Sequence, residues 1–234
     1  MATRVAVLAS GRGSNLRALH EYLGHDSRSK GVRIALVLAD RPDAGALTFA
    51  AEQRIPAVTM DQGTGESVGL AMQLTEHAID LVVLAGFLKL VPSGVVRAYR
   101  GRLVNVHPAL LPAFGGKGMY GKHLHEAVLA SGARVTGVTV HFVDEHYDRG
   151  PIIAQWPVPV FADDTVDTLG ARVLRVEHML LPRAVSAVAR KQITLGADGK
   201  VIGKLRRAPS RAAFLVRPQE DDELAHEIDS ALAP

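Results

Sequence analysis

The sequence predicts an α/β fold: an open, mostly parallel twisted sheet with helices on both faces, an antiparallel edge strand and a small C-terminal hairpin. Three features carry this expectation. Short β-branched apolar runs recur along the chain and are nearly unbroken, as strands buried on both faces must be. Between them stand stretches with apolar residues at helical spacing, and strand–helix–strand alternation builds a parallel sheet. Later, two strand-like runs follow one another with only a short polar link, which suits an antiparallel pair at the sheet's edge.

Taken in order, "RVAVLAS" (Arg4–Ser10) reads as the first strand and "SNLRALHEYLG" as the first helix, with Ser14 as its N-cap and Gly24 as its stop. "VRIALVLAD" (Val32–Asp40), the helix "AGALTFAAEQRI" and the short run Pro56–Met60 follow. "DLVVLAGF" (Asp80–Phe87) and "RLVNV" (Arg102–Val106) are two further strands. "GKHLHEAVLASG" reads as a helix closed by Gly132, and Arg134–Val143 and Pro151–Val160 as strands joined by the loop "DEHYDRG". Thr165 to Arg190 reads as a long helix that Pro182 should kink or divide. "ITLGADGKVIG" reads as a hairpin turning at Asp198-Gly199.

The chain has 234 residues, 47% hydrophobic, enough for one sizeable core, and with 5% aromatics that core must be aliphatic. It has no cysteine, which removes disulfides and thiolate metal sites and favours a reducing, cytoplasmic location. A net charge of +3 is too mild to call for nucleic acid. The N-terminal apolar run is too short for a signal peptide, and "IDLVVLAGFLKLV", carrying Asp80 and Lys89, is too short to span a membrane. One domain is expected over residues 1–206, followed by a charged tail over 207–234. From Lys204 to Arg217 there are five basic residues and no acid, and from Gln219 to Pro234 six acids and no Lys or Arg.

Two places carry chemistry. In "ASGRGSN" (Ala9–Asn15), glycines at 11 and 13 let backbone approach a ligand, and the helix start at Ser14-Asn15 offers free N–H groups to an anion. Position 16 is Leu, so the third glycine of a dinucleotide fingerprint is missing. A phosphate cradle with the Ser and Asn side chains as extra donors fits better than NAD, and an ordinary capped turn is the plain alternative. The second place is "NVHP". Asn105 and His107 share one strand face at the strand's C-terminal end, where open α/β sheets bind ligands, and Pro108 ends the strand there. An amide N–H₂ and an imidazolium side by side can both donate to one developing oxyanion. A carboxylate from Asp144, Glu145 or Asp148 would raise the imidazole's pKa and keep it charged. His123 and His125 lie two apart on a helix and share no face, so no metal site is expected, and His141 reads as a core or edge histidine.

As an ordered set, "SGRGSN", "VVLAGFLKLV", "NVHPALLP", "GVTVHFVDEHYDRGPII" and "ARVLRVEH" resemble the glycinamide ribonucleotide formyltransferases, folate-dependent enzymes of purine synthesis. The likeness runs from about Val5 to Val201 and implies their Rossmann-like formyltransferase fold. It implies that Asn105, His107 and Asp148 are catalytic, and that Gly13, Ser14, Asn15 and Glu177 bind the ribonucleotide. It puts 10-formyltetrahydrofolate, the co-substrate, against Leu88, Lys89, Leu90, Val91, Asn105, Asp144, Glu145, His146, Tyr147 and Asp148. It also implies two small-molecule substrates, no metal, no NAD, no nucleic acid and no membrane, in a cytoplasmic monomer or homodimer. Lys89 stands where the best-known members carry Arg, Leu174 where some have a polar contact, and the loop 113–122, "AFGGKGMYGK", is longer and richer in glycine. A formyltetrahydrofolate hydrolase is the neighbouring alternative and a non-catalytic nucleotide-binding module the more distant one.

Overall fold

The first strand, β1 (Thr3–Ala9), shows how the sheet is buried. Val5, Val7 and Ala9 belong to one apolar cluster and Ala6 and Leu8 to another, so both faces of the strand are dry. This computed structural model describes residues 2–25, 31–60, 66–203 and 205. The elements that follow β1 are α1 (Ser14–His25), β2 (Val32–Ala39), α2 (Gly45–Glu52), β3 (Ala57–Thr59), α3 (Glu66–Glu76), β4 (Leu81–Leu84), α4 (Ser93–Ala98) and β5 (Leu103–His107). Then come α5 (Gly121–Ala130), β6 (Val135–Phe142), β7 (Ile152–Pro159), α6 (Val166–Ala189), β8 (Thr194–Leu195) and β9 (Val201–Ile202).

Seven strands form one sheet in the order β3-β2-β1-β4-β5-β6-β7. β1 to β5 run parallel, while β5 with β6 and β6 with β7 pair antiparallel. One face packs on buried residues of α1, α2, α5 and α6 (Leu16, Phe49, Leu124 and Leu181 among them), and the other on Leu70 and Leu74 of α3 and Val95 and Val96 of α4. β8 and β9 make the expected hairpin, turning through Gly199 at φ +79°. Edge strand β7 carries Pro157 and Pro159, which cannot donate to a further strand and so blunt the edge.

Four expectations need correction or addition. Pro182 does not divide α6, which runs unbroken for 24 residues. The proline is buried with Leu181, Ala184 and Val185, and that packing outweighs the single backbone hydrogen bond its ring removes. Ser14 is the first residue inside α1, not its cap, because Gly13 with φ +77° takes the turn and its carbonyl accepts from the Arg17 N–H at 2.9 Å. Gly24 lies within α1, which ends at His25. Helices α3 and α4 had no clear sequence signature: α4 is six residues with a glycine and two β-branched valines. No helix among the described residues is long and apolar enough to cross a membrane. The tail 207–234 lies outside the described residues.

Candidate active site

The site is built where β5 leaves the sheet. Asn105 and His107 project from one face of β5, opposite His141 and Thr139 of β6 in the antiparallel register. The chain beyond His107 folds back over β6 and is pinned there. The Leu111 N–H donates to Thr139 Oγ1 at 3.0 Å, and Thr139 Oγ1 donates to the Ala109 carbonyl at 2.7 Å. Gln155 of β7 donates to the Leu111 carbonyl at 2.9 Å. The loop between β6 and β7 brings Asp148 to the same point, in the left-handed region at φ +54°, a conformation a non-glycine residue adopts only when its surroundings hold it.

Asp148 is the acid that reaches His107. Its Oδ2 lies 3.6 Å from His107 Nδ1, and its Oδ1 accepts from Asn105 Nδ2 at 3.4 Å. The Gly116 N–H donates to Oδ2 at 2.9 Å. His107 is buried, and its Nε2 faces the Phe114 carbonyl at 2.8 Å. A carbonyl only accepts, so Nε2 carries the proton. His141 joins the group, its Nδ1–H donating to the Phe142 carbonyl at 2.8 Å. That leaves the Nε2 lone pair to accept from Asn105 Nδ2 at 3.1 Å, which fixes which way round the Asn105 amide sits. His141 is therefore not a bystander in the core. Its part depends on the β5–β6 register, which alternation in the sequence does not reveal.

The electrostatics depart from expectation at one point. Burial pushes the His107 imidazole below its ordinary pKa, and the Asp148 charge, with the Phe114 carbonyl, offsets this only in part. His107 is therefore not held cationic near neutrality. Taking a cation out of water costs more here than one carboxylate at 3.6 Å returns. For Asp148, burial works upward, but the neighbouring His141 and His107 rings and the Gly116 N–H outweigh it and hold the carboxyl below its ordinary value.

A cavity of about 660 Å³ runs from this cluster, a size suited to a small-molecule ligand. Its wall includes Asn105, His107, Asp148, Tyr147 and Leu88, together with Arg12, Leu174 and Glu177. Glu177 of α6 is buried, and that burial pushes its carboxyl up to about 7 although Asn15 Nδ2 donates to its Oε2 at 2.6 Å. One N–H of the Asn15 amide is thus committed to Glu177. Gly13 must lack a side chain, since a Cβ there would lie 2.9 Å from Ala46 Cα. Arg12, between the two glycines, lines the cavity, is exposed and adds a cation that the spacing of glycines did not single out.

The remaining sequence candidates lie outside the cavity wall. Gly13, Ser14 and Asn15 sit behind Arg12, and Leu90 is exposed while Val91 is buried in the core with α4. Lys89 follows Leu88 but does not line the cavity. Glu145 pairs with Arg97 at 2.9 Å, and Asp144 Oδ1 accepts from the His146 N–H at 2.8 Å, so these three shape the loop that carries Tyr147 and Asp148. Among the described residues, no three His, Asp or Glu side chains converge as metal ligands.

Residues 3–185 match the family model described as formyl transferase. A chloroplastic phosphoribosylglycinamide formyltransferase of Vigna unguiculata is 42% identical over 212 residues, spanning 88% of this chain and 67% of that protein. The crystal structure of phosphoribosylglycinamide formyltransferase from Anaplasma phagocytophilum superposes with a TM-score of 0.79 at 35% identity, covering 89% of this chain and 97% of that one. A formyltetrahydrofolate deformylase from Pseudomonas syringae pv. tomato shares the fold, with a TM-score of 0.77 at 24% identity over 87% of this chain and 66% of that one. With the family match spanning most of its length and relatives of this identity, the chain belongs to the formyl transferase family and, within it, to the phosphoribosylglycinamide formyltransferases.

Proposed function

We propose that this chain transfers the formyl group of 10-formyltetrahydrofolate to the amine of glycinamide ribonucleotide, giving the formylated ribonucleotide of purine synthesis. The observation that carries this is the convergence of Asn105, His107 and Asp148 on a cavity that Arg12 and Glu177 also line. The amine's lone pair forms a bond to the formyl carbon while the carbonyl π pair moves onto oxygen. One Asn105 N–H gives up its long 3.4 Å contact with Asp148 and stabilises that oxyanion. As the bond from carbon to folate N10 breaks, N10 needs the proton that the amine nitrogen gives up. A His107 lying below its ordinary pKa suits that transfer, being neutral enough to take the proton and acidic enough to release it. Asp148 stabilises the imidazolium that forms in passing.

Arg12 and the N–H groups of the turn Gly13–Asn15 offer positive charge to the phosphate, and Glu177 can accept from ribose hydroxyls. Leu88 and the loop Asp144–Asp148 are the side proposed for the folate, with Lys89 and Leu90 next to Leu88 and Val91 anchoring that segment in the core. We assign no metal or nicotinamide to the reaction, and place the protein in the cytoplasm as a monomer or homodimer acting on two small molecules.

A hydrolase reading uses the same cluster with water as nucleophile, and the shared fold of the deformylase supports it to that extent. One assay separates the two. Purified protein is given formyl folate with and without glycinamide ribonucleotide, and both formylated ribonucleotide and free formate are measured. Product that depends on the ribonucleotide is the expected result. Formate released at the same rate without it would sink the proposal in favour of hydrolysis, and ligand binding with no turnover would point to a binding module.

A further inference from the structure

We propose that the loop Phe114–Gly118 is a positioning strap that decides which nitrogen of His107 handles the mobile proton: it holds the proton on Nε2 permanently and leaves Nδ1, facing Asp148, as the nitrogen that exchanges. This deepens the formyl-transfer reading and rests on it for its catalytic consequence.

Two backbone groups of the strap bind the two members of the pair from opposite ends of a three-residue stretch. The Phe114 carbonyl accepts from His107 Nε2 at 2.8 Å, and the Gly116 N–H donates to Asp148 Oδ2 at 2.9 Å. The backbone between them is set for this purpose. Phe114 sits at φ +54°, a left-handed conformation that aims its carbonyl at the histidine, and Gly116 sits at φ +103°, open only to glycine. Gly115, between them, has no room for a side chain: a Cβ there would lie 2.6 Å from Leu111 Cδ2 and 3.3 Å from Asp148 Cβ. The Leu111 backbone is held by Thr139 and Gln155 and its side chain is buried, so its methyl has only neighbouring packed atoms to turn toward. A methyl at position 115 therefore pushes on Asp148 itself and moves the two strap contacts apart.

The consequence for His107 follows from what each ring nitrogen meets. Nε2 meets an oxygen that can never donate, so it keeps its hydrogen in both the neutral ring and the cation. Nδ1 meets a carboxylate 3.6 Å away, which favours a proton arriving there. The Asn105 amide is held by His141 at 3.1 Å and meets the strap only through its longer 3.4 Å contact with Asp148 Oδ1, so the strap acts first on the proton-transfer group.

Two measurements test this. In wild type labelled with ¹⁵N-histidine, with the His107 signals identified by comparison with His107→Asn, the Nε2 signal should stay that of a protonated nitrogen through the titration, while Nδ1 titrates. A His107 that is neutral with its proton on Nδ1 would overturn the proposal, whatever any variant does. In Gly115→Ala, checked for folding by thermal unfolding, the two neutral tautomers should mix. Its kcat should fall about 100-fold, the order expected when a proton-transfer pair is misplaced by about an ångström. The KM for the ribonucleotide should change by no more than about two-fold, since Arg12 and Glu177 are untouched. Wild-type kcat and an unmixed tautomer in a folded Gly115→Ala would also overturn it. Should wild type itself transfer no formyl group, the functional reading fails, yet the tautomer measurement still decides whether the strap orients His107.

Discussion

His107 shows how a buried ring and a nearby carboxylate settle one pKa between them. Burial lowers it, Asp148 raises it, and burial wins. Asp148→Asn keeps the shape and removes the upward contribution, so the folded pKa of His107 falls further. The acid limb of the kcat profile should then move to lower pH, and kcat itself should drop about 10²–10⁴-fold, the range for losing acid–base assistance. Steady-state kinetics across pH decides it; an unmoved limb would show that Asp148 does not act on His107. Glu177 is the opposite case, a carboxyl raised from 4.5 to about 7 by burial. With a folded pKa above the unfolded one, the folded state binds more protons between those values. Stability is then intact below pH 4.5, declines as pH rises through about 7, and stays reduced above it, by roughly 3 kcal/mol. Glu177→Gln removes the ionisation but can still accept from Asn15. It should unfold roughly 5–10 °C above wild type at about pH 8 and together with it at about pH 4. Ribonucleotide binding should weaken in the same variant, tying the buried acid to the ligand. At this scale the sequence made Asn105 and His107 legible, because i and i+2 on a strand share a face, and narrowed the acid to Asp144, Glu145 or Asp148; only the family resemblance singled out Asp148. The sequence did not reveal that burial would govern the histidine, nor that His141 would orient the amide, since both depend on packing and register that no local pattern encodes.

At the scale of elements, α6 brings Glu177 to the site, and its N-terminus is unusually well secured. Thr165 caps it, accepting from the Thr168 N–H at 3.2 Å while Thr168 Oγ1 accepts from the Thr165 N–H at 2.9 Å. Asp164, just before the cap, takes a two-pronged contact from Arg172, both nitrogen–oxygen distances being 2.7 Å. That hydrogen bonding to Arg172 brings the Asp164 carboxyl from 3.8 down to about 2. A depressed folded pKa contributes stability that is present above 3.8 and lost as pH falls through about 2, here on the order of 2 kcal/mol. Asp164→Asn should therefore unfold about 4–8 °C below wild type near neutral pH, with the gap closing toward about pH 2. A gap that persists unchanged in acid would show that the loss is steric rather than electrostatic. The strands were legible because strands buried on two faces read as continuous apolar runs, and β1 and β2 do so plainly. The helix ends were less so. Gly13 and Ser14 compete for the start of α1, and only the left-handed φ of Gly13 decides between them. The effect of Pro182 was misjudged because local propensity predicts a break, while the buried face of α6 holds the helix through it.

At the scale of the molecule, the apolar clusters on the two sides of the sheet extend from Val5 to Ile193. Partly buried Val201 and Leu205 add the last contacts to one of them. Every residue placed in the proposed chemistry, from Arg12 to Glu177, falls within that span. The sheet order explains why they meet. β1 and β5 are separated only by β4, so the turn after β1 and the end of β5 open on the same edge of the sheet. The loop that leaves β6 beside the start of β5 then folds back and sets Asp148 against Asn105 and His107. Among the described residues, those of the core and of the cavity lie at or before 205, and on that ground the charged segment 207–234 is predicted to be dispensable for folding and turnover. A chain ended at Arg206 should unfold in one cooperative transition within about 0.5 kcal/mol of the full chain, the range for changes that touch no core contact. Its kcat and both KM values should match those of the full chain. Matched transitions with a raised KM for the folate alone would instead assign Arg207, Arg211 or Arg217 to the anionic co-substrate. A lowered transition would show that the segment contributes packing to the domain, and the boundary near residue 206 would be wrong.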